Sequence, residues 1–371
     1  MTANPISPFS SAASYDPSCY QSNVAGSALL EDQLLALLHL ERSYQVDQIP
    51  CRKSTKREDR LPHEDWRRKI CEWSYRVVDH FRIDREVVSV AMNFFDRFLS
   101  MHNTQEPEAC PCPSCQRAVD SQTFQLAAMT SLYLAIKLHA ESCGPESLDS
   151  EERRPRRKKL KLTSFVDLSR GQFSAEDICS MERRMLATLN WKVHPTTPSS
   201  VVSFLLRLMP SHTAVPYVCR CHYDLVLHVL NELARYLSEL SICMANVSCE
   251  YRPSEVAFAA ILVSMQMLTP TALPVEVRDD FCESISQIST LYATNERNLY
   301  LMSRLKQCFW PEMLLDECEV EHDHPISLAK AAGLLDMGIL YQGKLGRTGS
   351  ADSFTDVTQQ PMEETPVCIS P

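Results

Sequence analysis

The sequence predicts an all-α protein built from two consecutive helical domains. Apolar residues recur at the i, i+3 and i+4 spacing of amphipathic helices over long segments, and eight glycines in 371 residues argue against a loop-rich β protein. Two stretches, 125–138 and 255–268, are apolar on nearly every side. A helix of that kind has to lie at the centre of a bundle, where its small residues allow neighbouring helices to approach closely. The two stretches therefore indicate two bundles built on one plan.

Composition narrows the class of function. The formal net charge of −10 disfavours a nucleic-acid-binding surface, and the longest apolar run, 257–268, is too short to span a bilayer. The sixteen cysteines are scattered, and the N-terminal residues show no signal peptide, so we expect a reduced intracellular protein. No nucleophile–base arrangement, phosphate loop or pair of catalytic carboxylates stands out. We therefore expect a protein that is not an enzyme and has no cofactor, resident metal, membrane partner or direct nucleic-acid partner.

The N-terminal 60 residues are predicted to hold one helix between two polar segments. Residues 1–26 are rich in Ser, Ala and Pro, a composition typical of disorder. An amphipathic helix is expected over about 27–44, followed by a charged linker at 51–60.

Composition also predicts the limits of the two domains. The first domain is expected over 61–195, and it contains two insertions that do not look packed, at about 101–120 and 141–163. Prolines precede the second domain, which is expected over 196–311. The remaining residues, 312–371, lose strong periodicity, so we predict a mostly disordered tail.

A charged residue interrupts the apolar stripe of the helix that contains AMNFFDRFLS (91–100). Asp96 lies on the same face as Val88 and Met92, where an unpaired carboxylate costs several kcal/mol. Its neighbour Arg97 cannot pair with it, because residues i and i+1 point to different sides of a helix. Arg67 lies on the apolar side of the preceding helix. Either Arg67 and Asp96 form a buried bidentate pair, or each side chain reaches the edge of its helix separately.

Two further charges attract attention. Glu182 shares a face with Ile178 and Met185 in a helix whose predicted N-cap is Ser174. Lys137 ends the all-apolar stretch 125–138, where the helix dipole alone would favour a cation. Helical spacing says no more about either residue.

The order of the segments resembles that of the cyclin family. The resemblance covers about residues 62–310, and five stretches carry it: WRRKICEW (66–73), AMNFFDRFLS (91–100), QLAAMTSLYLAIKL (125–138), the closing segment 165–198 with MERRMLATLNW, and ARYLSELSICMANVSCEYRPSEVAFAAI (234–261). The AMN of the second stretch is similar to D-type cyclins.

The resemblance implies two five-helix cyclin folds that bind and activate a cyclin-dependent kinase during the cell cycle, in the nucleus and to some extent the cytoplasm. By position, Arg67 and Asp96 would be the buried pair of the first fold, and Lys137 and Glu182 would bind the kinase. Two alternatives stay open: a DNA-binding transcription factor of the TFIIB type, which uses the same double fold, and a transcription-associated cyclin.

The resemblance also implies a docking patch for kinase substrates. By position, the residues of this patch are Trp66, Ile70, Trp73 and Gln125. The sequence departs from the family pattern beside it, because Lys69 replaces a usual apolar residue and Arg76 replaces an acid. Docking of basic R-x-L substrates is therefore only weakly predicted.

The insertions and tails contain three further candidate sites. A basic run can serve as a nuclear import signal or be an ordinary solvated loop; it consists of Arg153, Arg154, Arg156, Arg157, Lys158, Lys159 and Lys161. Proline-directed phosphorylation is predicted at Ser7, Thr365 and Ser370. The loop with Cys110, Cys112 and Cys115 is half of a zinc site at most, and an inert or redox-sensitive loop is the favoured interpretation.

Overall fold

The computed structural model describes residues 24–45, 61–104, 121–139, 160–211, 220–308 and 325–336. Its N-terminal helices are α1 (Val24–Arg42), α2 (Leu61–His80), α3 (Glu86–Thr104), α4 (Ser121–His139), α5 (Leu162–Leu168) and α6 (Ala175–Thr188). They are followed by α7 (Pro198–Leu205), α8 (Arg220–Cys243), α9 (Ala245–Glu250), α10 (Pro253–Met267), α11 (Val275–Ile288), α12 (Glu296–Cys308) and α13 (Pro325–Ala331). None of the helices described combines the length and apolar composition needed to cross a bilayer.

Helices α2 to α6 form the first domain, with α4 at its centre. Helix α4 packs against both α3 and α6. Ala127 and Ala135 on α4 are fully buried, and small side chains there let the neighbouring helices approach closely. Helix α6 begins at the predicted cap, where Ser174 and Asp177 form a reciprocal capping box.

Helices α7 to α12 form the second domain on the same plan. This domain has five longer helices, and the six-residue α9 lies between α8 and α10. Helix α10 packs against α7, α8 and α12. Ala257 and Ala260 on α10 are fully buried, as their counterparts on α4 are. The two all-apolar stretches of the sequence are therefore the central helices of two domains, as predicted.

The second domain also carries helices from both flanks of the double fold. Leu34 on α1 and Ile326 on α13 belong to its apolar core, and Leu335 forms an isolated antiparallel bridge with Leu268. The stretch 325–336 differs from the mostly disordered tail predicted for 312–371. Its order comes from burying a few apolar side chains on a core that already exists, which does not require a long periodic pattern.

The observed helix ends shift some of the predicted limits by a few residues. Helix α1 spans Val24–Arg42 instead of 27–44, α3 extends to Thr104 inside the first predicted insertion, and α5 begins at Leu162 inside the second. Such ends depend on the local balance of caps and fraying, which composition does not resolve.

Candidate functional site

Arg67 and Asp96 form a bidentate ion pair inside the first domain. The Nε and Nη2 atoms of Arg67 lie 2.9 and 2.7 Å from Oδ1 and Oδ2 of Asp96, and both residues are buried. Burial works against a charged guanidinium, but the carboxylate of Asp96 outweighs it and raises the pKa of Arg67. Of the two arrangements that the sequence left open, the structure therefore has the buried pair.

The same guanidinium connects the two domains. Nη1 of Arg67 donates to the carbonyl oxygen of Ile242 at 2.7 Å, and Nη2 donates to Oγ of Ser248 at 3.0 Å. Ile242 lies in the last turn of α8, and Ser248 lies in α9. The pair is therefore a structural element of the domain interface and supplies no chemistry of its own.

Arg97 is buried by a different set of partners, which sequence reasoning missed. Its Nη1 lies 2.9 Å from the carbonyl oxygen of Lys192, and its Nη2 lies 3.4 Å from that of Leu189. The guanidinium also lies over the ring of Tyr44, 5.1 Å from its centroid. Burial lowers the pKa of Arg97, which has backbone oxygens and an aromatic face in place of a carboxylate. Arg97 thereby ties α3 to the segments that follow α1 and α6.

Glu41 is a second buried charge that sequence reasoning missed. Its carboxylate accepts hydrogen bonds from the backbone N–H and the hydroxyl of Ser254, at 3.0 and 2.7 Å, and lies 3.7 Å from Arg252. Burial raises the pKa of Glu41. The signal was present in the sequence, because Glu41 follows Leu34 and Leu38 on the apolar face of α1 at i+7 and i+3. Glu41 fixes α1 to the start of α10.

Lys137 and Glu182 meet at the surface of the first domain. The Nζ atom of Lys137, in the last turn of α4, lies 2.9 Å from Oε1 of Glu182 in the middle of α6. The Lys137 side chain is 52% exposed, whereas that of Glu182 is 11% exposed. The hydrogen bond to Glu182 raises the pKa of Lys137, and the ammonium also lies 5.7 Å from the ring centroid of Tyr133. A nearly buried carboxylate therefore holds an accessible ammonium in a fixed position on this surface.

Three of the four residues of the predicted docking patch line one apolar groove. They are Ile70, Trp73 and Gln125, together with Ala128, Met129, Gln172 and Phe173. Trp66 lies outside this lining and packs edge-on against Phe124, with ring centroids 5.5 Å apart. The indole N–H of Trp73 is buried and has no hydrogen-bond partner within the described residues. Lys69 and Arg76 are exposed on the same helix.

Most other predicted sites lie outside the described residues. Only Lys161 of the basic run is described; it is exposed and immediately precedes α5. The remaining members of the run, the three phosphorylation sites Ser7, Thr365 and Ser370, and the cysteine loop at 110–115 lie in undescribed segments. Their predictions stand as sequence predictions.

Comparison with known proteins finds cyclins among the relatives of this chain. Cyclin-D3-2 of Arabidopsis thaliana is 27% identical over 252 residues, which cover 67% of this chain and 53% of the relative. The G2/mitotic-specific cyclin cig1 of Schizosaccharomyces pombe is 28% identical over 206 residues, which cover 55% of this chain and 38% of that protein. The chain thus spans about half or less of the length of these curated relatives.

A solved structure and two family models complete the comparison. A viral cyclin from herpesvirus saimiri superimposes with a TM-score of 0.47 and 12% identity, over 76% of this chain and 98% of the viral one. The family model of the cyclin N-terminal domain matches residues 36–194, and that of the cyclin C-terminal domain matches residues 200–297. Together the matched ranges cover both helical domains, and the chain belongs to the cyclin family.

Proposed function

We propose that this chain is a regulatory, non-catalytic subunit that binds a cyclin-dependent protein kinase and activates it in the cell cycle. The observation that carries the proposal is the Lys137–Glu182 pair, held at 2.9 Å on the surface of the first domain at the two positions that match the kinase-binding charges of the family. The family membership and the cell-cycle cyclins among the relatives support it.

The mechanism follows from what a kinase needs. Phosphoryl transfer in protein kinases requires a Lys–Glu ion pair that a mobile helix brings into place. A partner that binds only the assembled state shifts the kinase population toward that state, by as much as its affinities for the two states differ. Two domains joined by buried hydrogen bonds suit this task, because a partner that deformed on binding would lose part of that difference.

A pull-down of purified cyclin-dependent kinase tests the proposal. The tagged chain is compared with the double variant K137A/E182A and with the control R220A/D224A, which removes a surface ion pair of the second domain whose closest N–O distance is 3.9 Å. We expect the wild type and the control to retain the kinase and the K137A/E182A variant to lose most of it. Failure of the wild type to bind any such kinase would contradict the proposal. Equal retention by all three would contradict only the residue assignment.

A DNA-binding factor of the TFIIB type is the weaker alternative. Such a protein requires basic faces, whereas this chain has a formal net charge of −10, and the relatives reported above are cyclins. One of these relatives is a G2/mitotic-specific cyclin, which favours the cell cycle over a transcription-associated role.

We further propose that the basic run 153–161 directs the chain to the nucleus. Seven Lys or Arg in nine residues can bind an acidic import receptor. Neutralising all seven in a fluorescent fusion should move it into the cytoplasm, whereas neutralising Arg52, Lys53, Lys56 and Arg57 of the N-terminal linker should not. A fusion that stays nuclear without the run would contradict the assignment.

A further inference from the structure

Two cysteines from different domains lie in contact. Cys71 belongs to α2 and Cys243 is the last residue of α8, and their sulfur atoms are 3.1 Å apart although 172 positions separate them in sequence. A disulfide bond is roughly 2.05 Å long, so an approach of about 1 Å would join them. This contact lies at the domain interface.

The surroundings hold the two helices in place around this contact. The hydroxyl of Tyr75, one turn after Cys71, donates to the carbonyl oxygen of Glu239 on α8 at 3.2 Å. Arg67, one turn before Cys71, donates to the carbonyl oxygen of Ile242, the residue before Cys243, at 2.7 Å. Hydrogen bonds on both sides of the sulfur atoms therefore fix the register of α2 against α8.

The two thiols have unequal environments. Cys243 is partly exposed, and its hydrogen bond with Cys71 together with the nearby charge of Arg67 lowers the pKa of Cys243. Cys71 is fully buried, and burial raises the pKa of its thiol. The sulfur of the partly exposed residue is thus the one that ionises more easily, and a thiol that ionises less easily lies in contact with it. This is the arrangement of an attacking and a resolving cysteine.

We propose that Cys71 and Cys243 form an oxidation site at which hydrogen peroxide joins the two domains by a disulfide bond. The thiolate of Cys243 attacks one peroxide oxygen, the O–O bond breaks, and the released hydroxide takes a proton to become water. The sulfenic acid left on Cys243 is then attacked by the sulfur of Cys71, the S–O bond breaks, and the proton of Cys71 leaves with the second water. Two thiols and one peroxide yield one disulfide and two waters.

A third cysteine in the same neighbourhood provides a matched control. Cys249, in α9, is buried near Asp96 and Arg67, and burial raises its pKa. Cys249 lies only six positions from Cys243 in the sequence, but the observed sulfur–sulfur contact of Cys71 is with Cys243. A bond from Cys71 to Cys249 would show that this contact does not determine which cysteines pair. The site requires Cys71 to pair with Cys243 and not with Cys249.

Peptide mapping of the full chain after peroxide treatment tests the proposal. Free thiols are alkylated in acid, and the chain is digested without reductant. We expect a cross-linked peptide pair 2 Da lighter than the sum of its free parts, lost on treatment with dithiothreitol. Fragment ions that break the chain between Met244 and Ser248 assign the bond to Cys243. The variants C71S and C243S should lack this product, and C249S should retain it.

A second measurement on the wild-type chain does not depend on whether the variants fold. A cross-link that spans 172 residues restricts the unfolded chain, so oxidation should raise the thermal midpoint by about 5 °C, and dithiothreitol should reverse the rise. The proposal is overturned if peroxide oxidises other cysteines while Cys71 and Cys243 remain alkylatable. It is also overturned if Cys71 is found bonded to Cys249, or if Cys243 accumulates as a sulfinic acid beside a free Cys71.

Discussion

The carboxylate of Asp96 accepts two hydrogen bonds from Arg67, and the same guanidinium donates to the carbonyl oxygen of Ile242 in the second domain. One arginine thus satisfies a buried acid in its own domain and a helix C-terminus in the other. The last carbonyls of a helix have no intrahelical partner, so the contact supplies α8 with a cap. The same ion pair therefore contributes both to the stability of the first domain and to its attachment to the second.

Replacing Asp96 with Asn should destabilise the chain by about 3 kcal/mol. The substitution keeps the shape of the side chain but leaves a buried guanidinium without its counter-charge, and breaking a buried pair in this way is strongly unfavourable. Urea unfolding measures the loss. Asp65→Asn serves as the control, because Asp65 forms only an exposed ion pair with Arg68 at 3.3 Å and should cost no more than about 0.5 kcal/mol. Equal losses in the two variants would contradict this interpretation.

Sequence reasoning identified this pair as one of two possible arrangements, for a simple physical reason, and the family resemblance then favoured it. Arg67 and Asp96 each interrupt an apolar stripe, and charges in such places are rarely buried without a partner. It could not find the contact with Ile242, because a backbone carbonyl carries no side-chain signature and the two residues lie 175 positions apart. Arg97 is not the partner of Asp96, as predicted. The spacing of apolar residues did not predict that Arg97 is itself buried against backbone oxygens.

The contribution of Glu41 to stability should fall as the pH rises. Burial raises the pKa of Glu41 above its ordinary value of 4.5, so the folded chain holds this proton more tightly than the unfolded chain does. The stabilisation is fully present below the ordinary pKa and is lost as the pH rises through the raised one. Glu41→Gln cannot lose a proton, so its deficit relative to wild type should be largest near pH 4.5 and smaller at neutral pH. Urea unfolding of both proteins across this range measures it.

Asp177 supplies the control of opposite sign. Hydrogen bonds from Ser174 lower the pKa of Asp177, so its contribution is present above its ordinary pKa and is lost as the pH falls. The deficit of Asp177→Asn should therefore shrink toward low pH. A deficit of Glu41→Gln that grows from acidic to neutral pH would show that folding does not raise the pKa of Glu41.

Exchanging the charges of Lys137 and Glu182 separates a structural role from a kinase-binding role. The variant K137E/E182K keeps opposite charges on α4 and α6, but only the Lys137 side chain is well exposed, at 52% against 11% for Glu182. We therefore expect its unfolding free energy to fall by about 1 to 2 kcal/mol. The charges offered to a kinase are reversed, and we expect the affinity to fall by at least about tenfold. Surface plasmon resonance with a purified cyclin-dependent kinase measures the affinity. If the exchanged variant bound the kinase with wild-type affinity, Lys137 and Glu182 would have a structural role only.

A charge reversal beside the groove should improve the docking of basic peptides. Arg76 is exposed on α2, the helix that supplies Ile70 and Trp73 to the groove, and it repels the arginine of an R-x-L peptide. Arg76→Glu should strengthen the binding of such a peptide by about two- to fivefold at low salt, and the gain should shrink as salt screens the charges. Fluorescence anisotropy measures it. An unchanged affinity would place the peptide elsewhere. The control is Arg220→Glu, which reverses an exposed arginine of the second domain.

Two features that sequence reasoning missed depend on contacts between distant parts of the chain. Helix α13 has only seven residues, too few for a periodic pattern, and it is stable because the second domain offers an apolar surface for Ile326. The contact between Cys71 and Cys243 depends on how two domains meet, which no local pattern encodes. In contrast, α4 and α10 were predictable, because a helix that is apolar on nearly every side has to be buried among neighbouring helices.

Activation of a purified cyclin-dependent kinase by the purified chain tests the central claim most directly. Phosphate transfer to a protein substrate is measured with the kinase alone and with wild type, K137A/E182A or R220A/D224A added. We predict that wild type and the R220A/D224A control raise the rate strongly and that K137A/E182A does not. If the wild-type chain binds such kinases but leaves their phosphoryl-transfer rates unchanged, the chain is not an activating subunit and the account is contradicted.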